Sequence, residues 1–276
     1  MRKLLFALVP ALWLMACGGS GTQSGLAADE VADDSTDMVE DTLVLLEEAP
    51  EPVAADMLFD DFFYAFTTDM RYQLQRVRFP LKGKEGDEEL SVSADEWRET
   101  NLYASQEFFS MIYERDDDIE MQRDTALSEV SVEWFYLAGH YVERYNFHRI
   151  GGKWMLTDFE KEQTAHTPHA SFMEFYAQFV SDTVFQKESV EFPLALAGED
   201  EEGDEEAQTE ISEDEWADFR NEMPLPQGVM TNIDYGQAVL SQNRKILLVQ
   251  GLSSGLQVRY KFDRTHGRWR LYEVEF

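Results

Sequence analysis

The sequence predicts an α+β protein of two tandem cone-like domains, each with N-terminal helices packed on a curved antiparallel sheet. Three observations carry this. One stretch of the chain occurs twice, each copy opens on an aromatic stripe, and each closes on long alternating segments around a tight turn. Phe59 to Leu81 and Phe172 to Leu194 align at a constant offset of 113. They share Phe59/Phe172, Phe62/Phe175, Phe66/Phe179, Asp69/Asp182, Gln73/Gln186, Val77/Val190, Phe79/Phe192, Pro80/Pro193 and Leu81/Leu194. The chain therefore divides into a leader (1–16), a tether (17–53), a first domain (54–163), a linker (164–170) and a second domain (171–276).

The leader reads as a processing signal. Arg2 and Lys3 precede an apolar run, Leu4 to Leu14, that is too short to span a bilayer. Leu14-Met15-Ala16-Cys17 then matches a bacterial lipobox, in which the Cys17 thiol is lipidated and cleavage leaves it as the first residue. Cys17 is the sole cysteine, so no disulfide partner explains it. Several acyl chains anchor stably where one is marginal. The expected address is the cell envelope, lipid-anchored at the outer membrane because Gly18 rather than Asp follows Cys17; the membrane face stays open.

Net charge excludes some partners. The formal charge is −32, and removing residues 1–16 takes away two cations and no acid. Such a surface repels nucleic acid and anionic headgroups. From Gly18 to about Pro52 there is no Lys or Arg, and Asp, Glu, Ala, Gly, Ser and Thr dominate. That composition cannot offset its ordering entropy. It reads as a self-repelling tether with an average reach of about 30–35 Å, interrupted by Leu43 to Leu46, a docking segment or a local collapse point.

Leu58, Phe59, Phe62, Phe63, Phe66 and Met70 fall at helical spacing and predict the core face of a helix. The helix ends before Pro80, with Val77 to Phe79 extended. Lys82 to Val92 reads as a charged loop. Ser93 and Glu96 form a capping box ahead of Trp97, repeated as Ser212, Glu215 and Trp216. The second copy carries extra residues before this box, in the acidic run 198–206; it is a solvated loop or a cation site, though it lacks the ligand alternation of a Ca²⁺ loop. Ser105 to Ile119 predicts a further helix, replaced in copy two by a loop around Pro224 and Pro226. Ser128 to Leu137, His140 to Ile150 and Lys153 to Glu162 predict strands, with Gly151-Gly152 as the hairpin turn. Alternation puts Tyr141, Tyr145 and Phe147 on one face, and Leu256, Val258, Tyr260 and Phe262 on its counterpart. Without disulfides each domain is expected to rely on its own apolar core.

This order of helices and strands resembles the nuclear-transport-factor-2-like (cystatin-like) superfamily. The doubled F-x-x-F-x-x-x-F-x-x-D-x-x-x-Q…V-x-F-P-L element and the S-x-D-E-W motif, behind a lipobox, are similar to a Bacteroidetes lipoprotein family, domain-of-unknown-function family 4348. The resemblance covers residues 54–276 and implies a fold and an envelope address, with no activity attached. Ketosteroid-isomerase-like members of the superfamily place an Asp base inside the cone, which makes Asp69 and Asp182 weak catalytic candidates. Both also suit a structural role where the helix meets the FPL strand. The cone interiors make Phe62, Phe66, Gln73, Tyr145 and Phe147, with Phe175, Phe179, Gln186, Tyr260 and Phe262, the ligand-pocket candidates.

No other chemistry is suggested. Arg149 and Arg264 are placed to pair across strands with Glu160 and Glu275. Of the histidines, His166 and His169 have metal-ligand spacing, but Pro168 lies between them and further ligands are missing. The chain shows no phosphate loop, nucleophile elbow or H-E-x-x-H. No metal and no cofactor are expected. The function expected is an envelope-anchored, non-catalytic binding module for a small molecule, glycan or protein. An isomerase or dehydratase with an Asp base, and a structural envelope-assembly protein, are the alternatives.

Overall fold

The computed structural model of the chain describes residues 56–276 apart from 101, 103–107, 199–208, 241–242 and 252–254. The leader, Cys17, the tether with Leu43 to Leu46, and nearly all of the acidic run 198–206 lie outside the described residues.

Each copy starts with a helix pair. In the first, α1 (Phe59–Thr68) buries Phe59, Phe62, Phe63 and Phe66. Asp69 then turns extended, and α2 (Met70–Arg76) begins at a cap made by its carboxylate. The second copy repeats this as α4 (Ala170–Ser181), Asp182 and α5 (Thr183–Glu188). The FPL elements enter β1 (Val77–Glu85) and β7 (Val190–Ala197), with both X-Pro bonds cis.

The segment read as a charged loop is instead the far arm of a hairpin. β1 continues to Glu85 and pairs antiparallel with β2 (Glu88–Val92). Its charged residues mislead because this is the solvated rim of the sheet, where charge also blunts an open edge. Gly83 is needed there, since a Cβ at that position would lie 2.3 Å from the Phe159 ring. The helix α3 (Ala94–Thr100) follows the capping box as predicted, with Ser93 and Glu96 exchanging bonds of 2.7 and 3.3 Å. In copy two, β8 (Thr209–Ile211) leads to the short α6 (Trp216–Phe219), and Glu215 accepts from both the Ser212 amide and hydroxyl.

The predicted helix over Ser105 to Ile119 is corrected. Its described part is β3 (Phe108–Tyr113) followed by a 3-10 turn from Asp116 to Arg123. Phe108 to Tyr113 is apolar on both faces because β3 is covered on both, and a continuous apolar run hides the strand period. The long strands follow: β4 (Glu129–Tyr136), β5 (Tyr141–Ile150) and β6 (Lys153–Gln163) in copy one. Copy two supplies β9 (Val229–Asp234), β10 (Arg244–Gly251), β11 (Gln257–Thr265) and β12 (Arg268–Glu275). The first hairpin turn uses Gly151 and Gly152 at φ 60° and 82°. The second uses His266 and Gly267 at 54° and 80°, the same left-handed pair with one glycine replaced.

The two sheets exchange a strand. One runs β2-β1-β6-β5-β4-β9, the other β3-β10-β11-β12-β7-β8. Thus β9 of the second copy pairs antiparallel with β4 of the first, and β3 of the first pairs with β10 of the second. The exchanged strands are also stitched to each other by side chains. The Ser110 amide donates to Thr231 Oγ1 at 2.8 Å, the Ser110 hydroxyl to Thr231 O at 2.7 Å, and the Ile112 amide to Asn232 Oδ1 at 2.8 Å.

The expectation that each copy relies on its own core is therefore corrected. Tyr235, Ile246 and Leu248 of copy two lie in the core built on α1, while Ile112, Phe135 and Val142 of copy one lie in the core built on α4. Alternation along β3 decides this: Met111 and Tyr113 face one core and Ile112 the other.

Candidate functional site

The predicted pocket residues fill the cone interiors. Phe147 sits against Phe59, Phe62, Phe63 and Phe66 at ring separations of 5.4–5.7 Å, all steeply tilted. Phe262 repeats this with Phe172, Phe175 and Phe179 at 5.3–5.8 Å. Edge-to-face rings at such separations are mutually attractive beyond the area they bury. Tyr145 and Tyr260 are buried beside them. Gln73 is buried and bonded, accepting from the Trp97 indole at 3.0 Å and donating to Leu102 O at 3.2 Å. Gln186 is equally buried, but its Oε1 and the Trp216 indole nitrogen make no such bond. Apart from Phe175, which also lines a groove outside the cone beside α4 and α5, these residues are core, not pocket, because rings of this size leave no room at the sheet's curve.

Asp69 and Asp182 face outward. Asp69 Oδ1 accepts from the Arg71 and Tyr72 amides at 2.8 and 3.4 Å, and Asp182 Oδ1 from Val184 and Phe185 at 2.9 and 3.0 Å. Both are exposed helix caps. A base in a cone cavity at either position is overturned. The arginine pairing is corrected as well. The two-residue turns put Arg149 opposite Trp154 and Arg264 opposite Trp269, so Glu160 instead faces Arg144, and Glu275 faces Arg259, to which it is ion-paired. Arg149 instead donates to Thr125 O and Asp56 O, both at 2.7 Å. Among the described residues no group of three or more His, Cys, Asp or Glu is arranged to hold a metal ion.

An open concavity lies where the copies interlock. A groove of about 340 Å³ is lined by Asp60, Asp61, Phe63 and Tyr64 of α1, Phe109 and Met111 of β3, and Ile233, Gln250 and Gly251 of copy two. Phe63, Phe109 and Met111 form apolar walls, and Asp60 is set among them. Burial pushes the Asp60 carboxyl up to about 6, against the lowering effect of its bond from Tyr235, while Asp61 raises it further. The Tyr235 hydroxyl donates to Asp60 Oδ1 and lies 4.0 Å from Met111 Sδ. Burial in turn holds the Tyr235 phenol well above its usual range, with Asp60 and Tyr113 adding to it. The phenol stays protonated and acts only as a donor to the carboxylate. Sequence reasoning missed Asp60, because the residues that perturb it arrive from positions far along the chain.

The Domain of unknown function (DUF4348) model matches residues 36–276. The chain belongs to this family. It is also similar to an NTF2-like protein from Bacteroides fragilis NCTC 9343, with 32% identity, a TM-score of 0.74, and coverage of 82% of this chain and 98% of that one. The NTF2-like architecture and the family resemblance read from the repeats are thus both shown. No curated protein matches the chain.

Proposed function

We propose that this DUF4348 protein is a binding module anchored in the cell envelope, held by lipid on Cys17 at the outer membrane and spaced from it by residues 17–53. Its ligand is a small molecule with an apolar body and a polar group, seated in the groove over Asp60. One observation carries this reading. Both cone interiors are filled by aromatic rings, while the groove at the interlocked strands stays open with apolar walls and two carboxyls, Asp60 and Asp61, of which Asp60 is the buried one. Pockets of this size and make-up hold small ligands through apolar contact and orient them through few polar groups. The test is a thermal-shift screen of apolar small molecules bearing hydroxyl or carbonyl groups, against wild type, Asp60→Asn and Tyr64→Ala. A ligand whose stabilisation is lost in both variants supports the reading. Ligands insensitive to both, or none at all, reject it.

A second reading rests on the same carboxyl. An acid held near neutrality is suited to proton transfer. As an isomerase or dehydratase, the protein would use Asp60 as base, oriented by Tyr235. That requires turnover that Asp60→Asn abolishes while binding survives.

A further inference from the structure

The two copies differ at a matched corner, where Asp56 and Arg76 of copy one fall at His169 and Ser189 of copy two, and the difference points to a ligand for the open one. In copy one, the corner between the α1/α2 pair and the β5–β6 turn is occupied by Asp56. Its carboxylate takes Arg76 at 2.6 and 2.9 Å and the Trp154 amide at 3.2 Å, and its main-chain oxygen takes Arg149 at 2.7 Å. Burial opposes ionisation there, yet the bonds from Arg76 and Trp154 outweigh it and hold Asp56 below its ordinary range.

At the repeat offset the counterpart of Asp56 is His169. That side chain is buried against Phe135 and leaves the corner of copy two empty. What remains is a groove of about 530 Å³ between α4, α5 and the β11–β12 turn. Its cations are Arg264, Arg268 and Arg270, and its acids are Glu174 and Glu188. Arg264 matches Arg149, and its one side-chain bond among the described residues is a long one of 3.4 Å to Gly267 O. Arg268 and Arg270 are exposed and, among the described residues, make no side-chain hydrogen bond or ion pair. The Leu271 amide bonds Ser189 O at 2.9 Å. Trp269, two residues earlier on the same strand, points its amide off the same edge, into the groove, as Trp154 does in copy one.

We propose that this groove is a carboxylate-binding site, holding the carboxylate of an acidic ligand where Asp56 sits in copy one. Arginine forks suit carboxylates in the way Arg76 holds Asp56. Three arginines gathered in one groove also invert the local charge of a chain with 55 acidic and 23 basic residues. The site is separate from the groove over Asp60, so either reading can fail alone.

The experiment is isothermal titration of the full chain, in detergent, with two carboxylate probes. One is the capped pentapeptide Ala-Ala-Asp-Met-Leu, the chain's own residues 54–58, run beside its Asn counterpart. The other is succinate. Saturable binding of either probe, weakened at least tenfold in Arg268→Glu and in Arg264→Gln, supports the site. Binding of the peptide alone assigns it to a peptide-borne carboxylate, and binding of succinate alone to a small organic acid. Both substitutions change exposed or half-exposed side chains, and an unchanged melting temperature confirms the fold. Absence of binding by both probes, equal binding of the Asp and Asn peptides with no response to succinate, or full affinity in both variants overturns the proposal.

Discussion

The Tyr235 hydroxyl of the second copy donates a hydrogen bond to the Asp60 carboxylate of the first, across 175 positions of sequence. The contact forms only because β9 has crossed to the other sheet, and its bond partly offsets the burial that keeps the groove carboxyl protonated.

Stability is expected to depend on pH through Asp60. Its carboxyl is raised from 3.8 to about 6 in the folded protein. Between those values the folded form binds more protons than the unfolded one. The contribution is therefore fully present below pH 3.8 and is lost as pH rises through 6. The shift corresponds to roughly 3 kcal/mol. Urea titrations from pH 4 to 8 should show wild type losing stability over this window relative to Asp60→Asn, whose side chain does not ionise. Parallel curves for the two proteins would contradict the assignment.

Asp56 should act in the opposite direction. Its carboxyl is depressed, so its contribution is present above its unfolded value and lost on acidification through the folded one. Asp56→Ala removes an anchor from Arg76 and the Trp154 amide, and should cost on the order of 1–3 kcal/mol. Chemical denaturation at pH 7 measures it, and the deficit should shrink toward pH 3.

A buried ion pair joins the copies. Lys245 is 2% and Glu114 6% exposed, and their charged atoms are 2.6 Å apart. The Leu240 amide also bonds Glu114 at 2.7 Å. Lys245→Met strands a buried carboxylate and should destabilise by about 3–5 kcal/mol. Adding Glu114→Gln should recover part of that loss. A double-mutant cycle by thermal denaturation reads the coupling, and additive effects would count against it.

Separated halves should not fold independently. Without copy two, the β4 edge that pairs with β9 is open, and β3 has lost the strand it pairs with. Residues 56–167 and 168–276, purified apart, are expected to lack cooperative unfolding and to regain near-UV circular dichroism on mixing. A cooperative monomeric transition in either half alone would show that the exchange is dispensable.

Fatty-acid labelling tests the anchor. Cys17→Ser should abolish incorporation of labelled palmitate and release the protein from the membrane fraction. Retention of label would place the lipid elsewhere.

Much was legible in the sequence, and particular residues show why. The phenylalanine stripe of α1 and the Ser93/Glu96 box are set by contacts within a few positions, so their spacing reports them directly. Gly151-Gly152 announces its turn for the same local reason. Phe108 to Tyr113 misled because burial on both faces erases the period that separates strand from helix. The arginine partners were missed because each lies one residue from a tight turn and so faces the tryptophan just after it, not an acid farther along the returning strand.

The amino-acid sequence by itself determined the repeat, the helix caps, the family resemblance and the aromatic stripe of each first helix, since all follow from local spacing or from matching one copy against the other. Only the tertiary structure decided which strand joins which sheet. That choice depends on groups more than a hundred positions apart, the Ser110 and Ile112 amides donating to the side chains of Thr231 and Asn232. It also decided what the acids do. Asp69 is a cap through amides two and three residues on, whereas Asp60 became the perturbed carboxyl because distant residues were brought around it and buried it. Desolvation is a property of the surroundings, and surroundings exist only once the chain has folded.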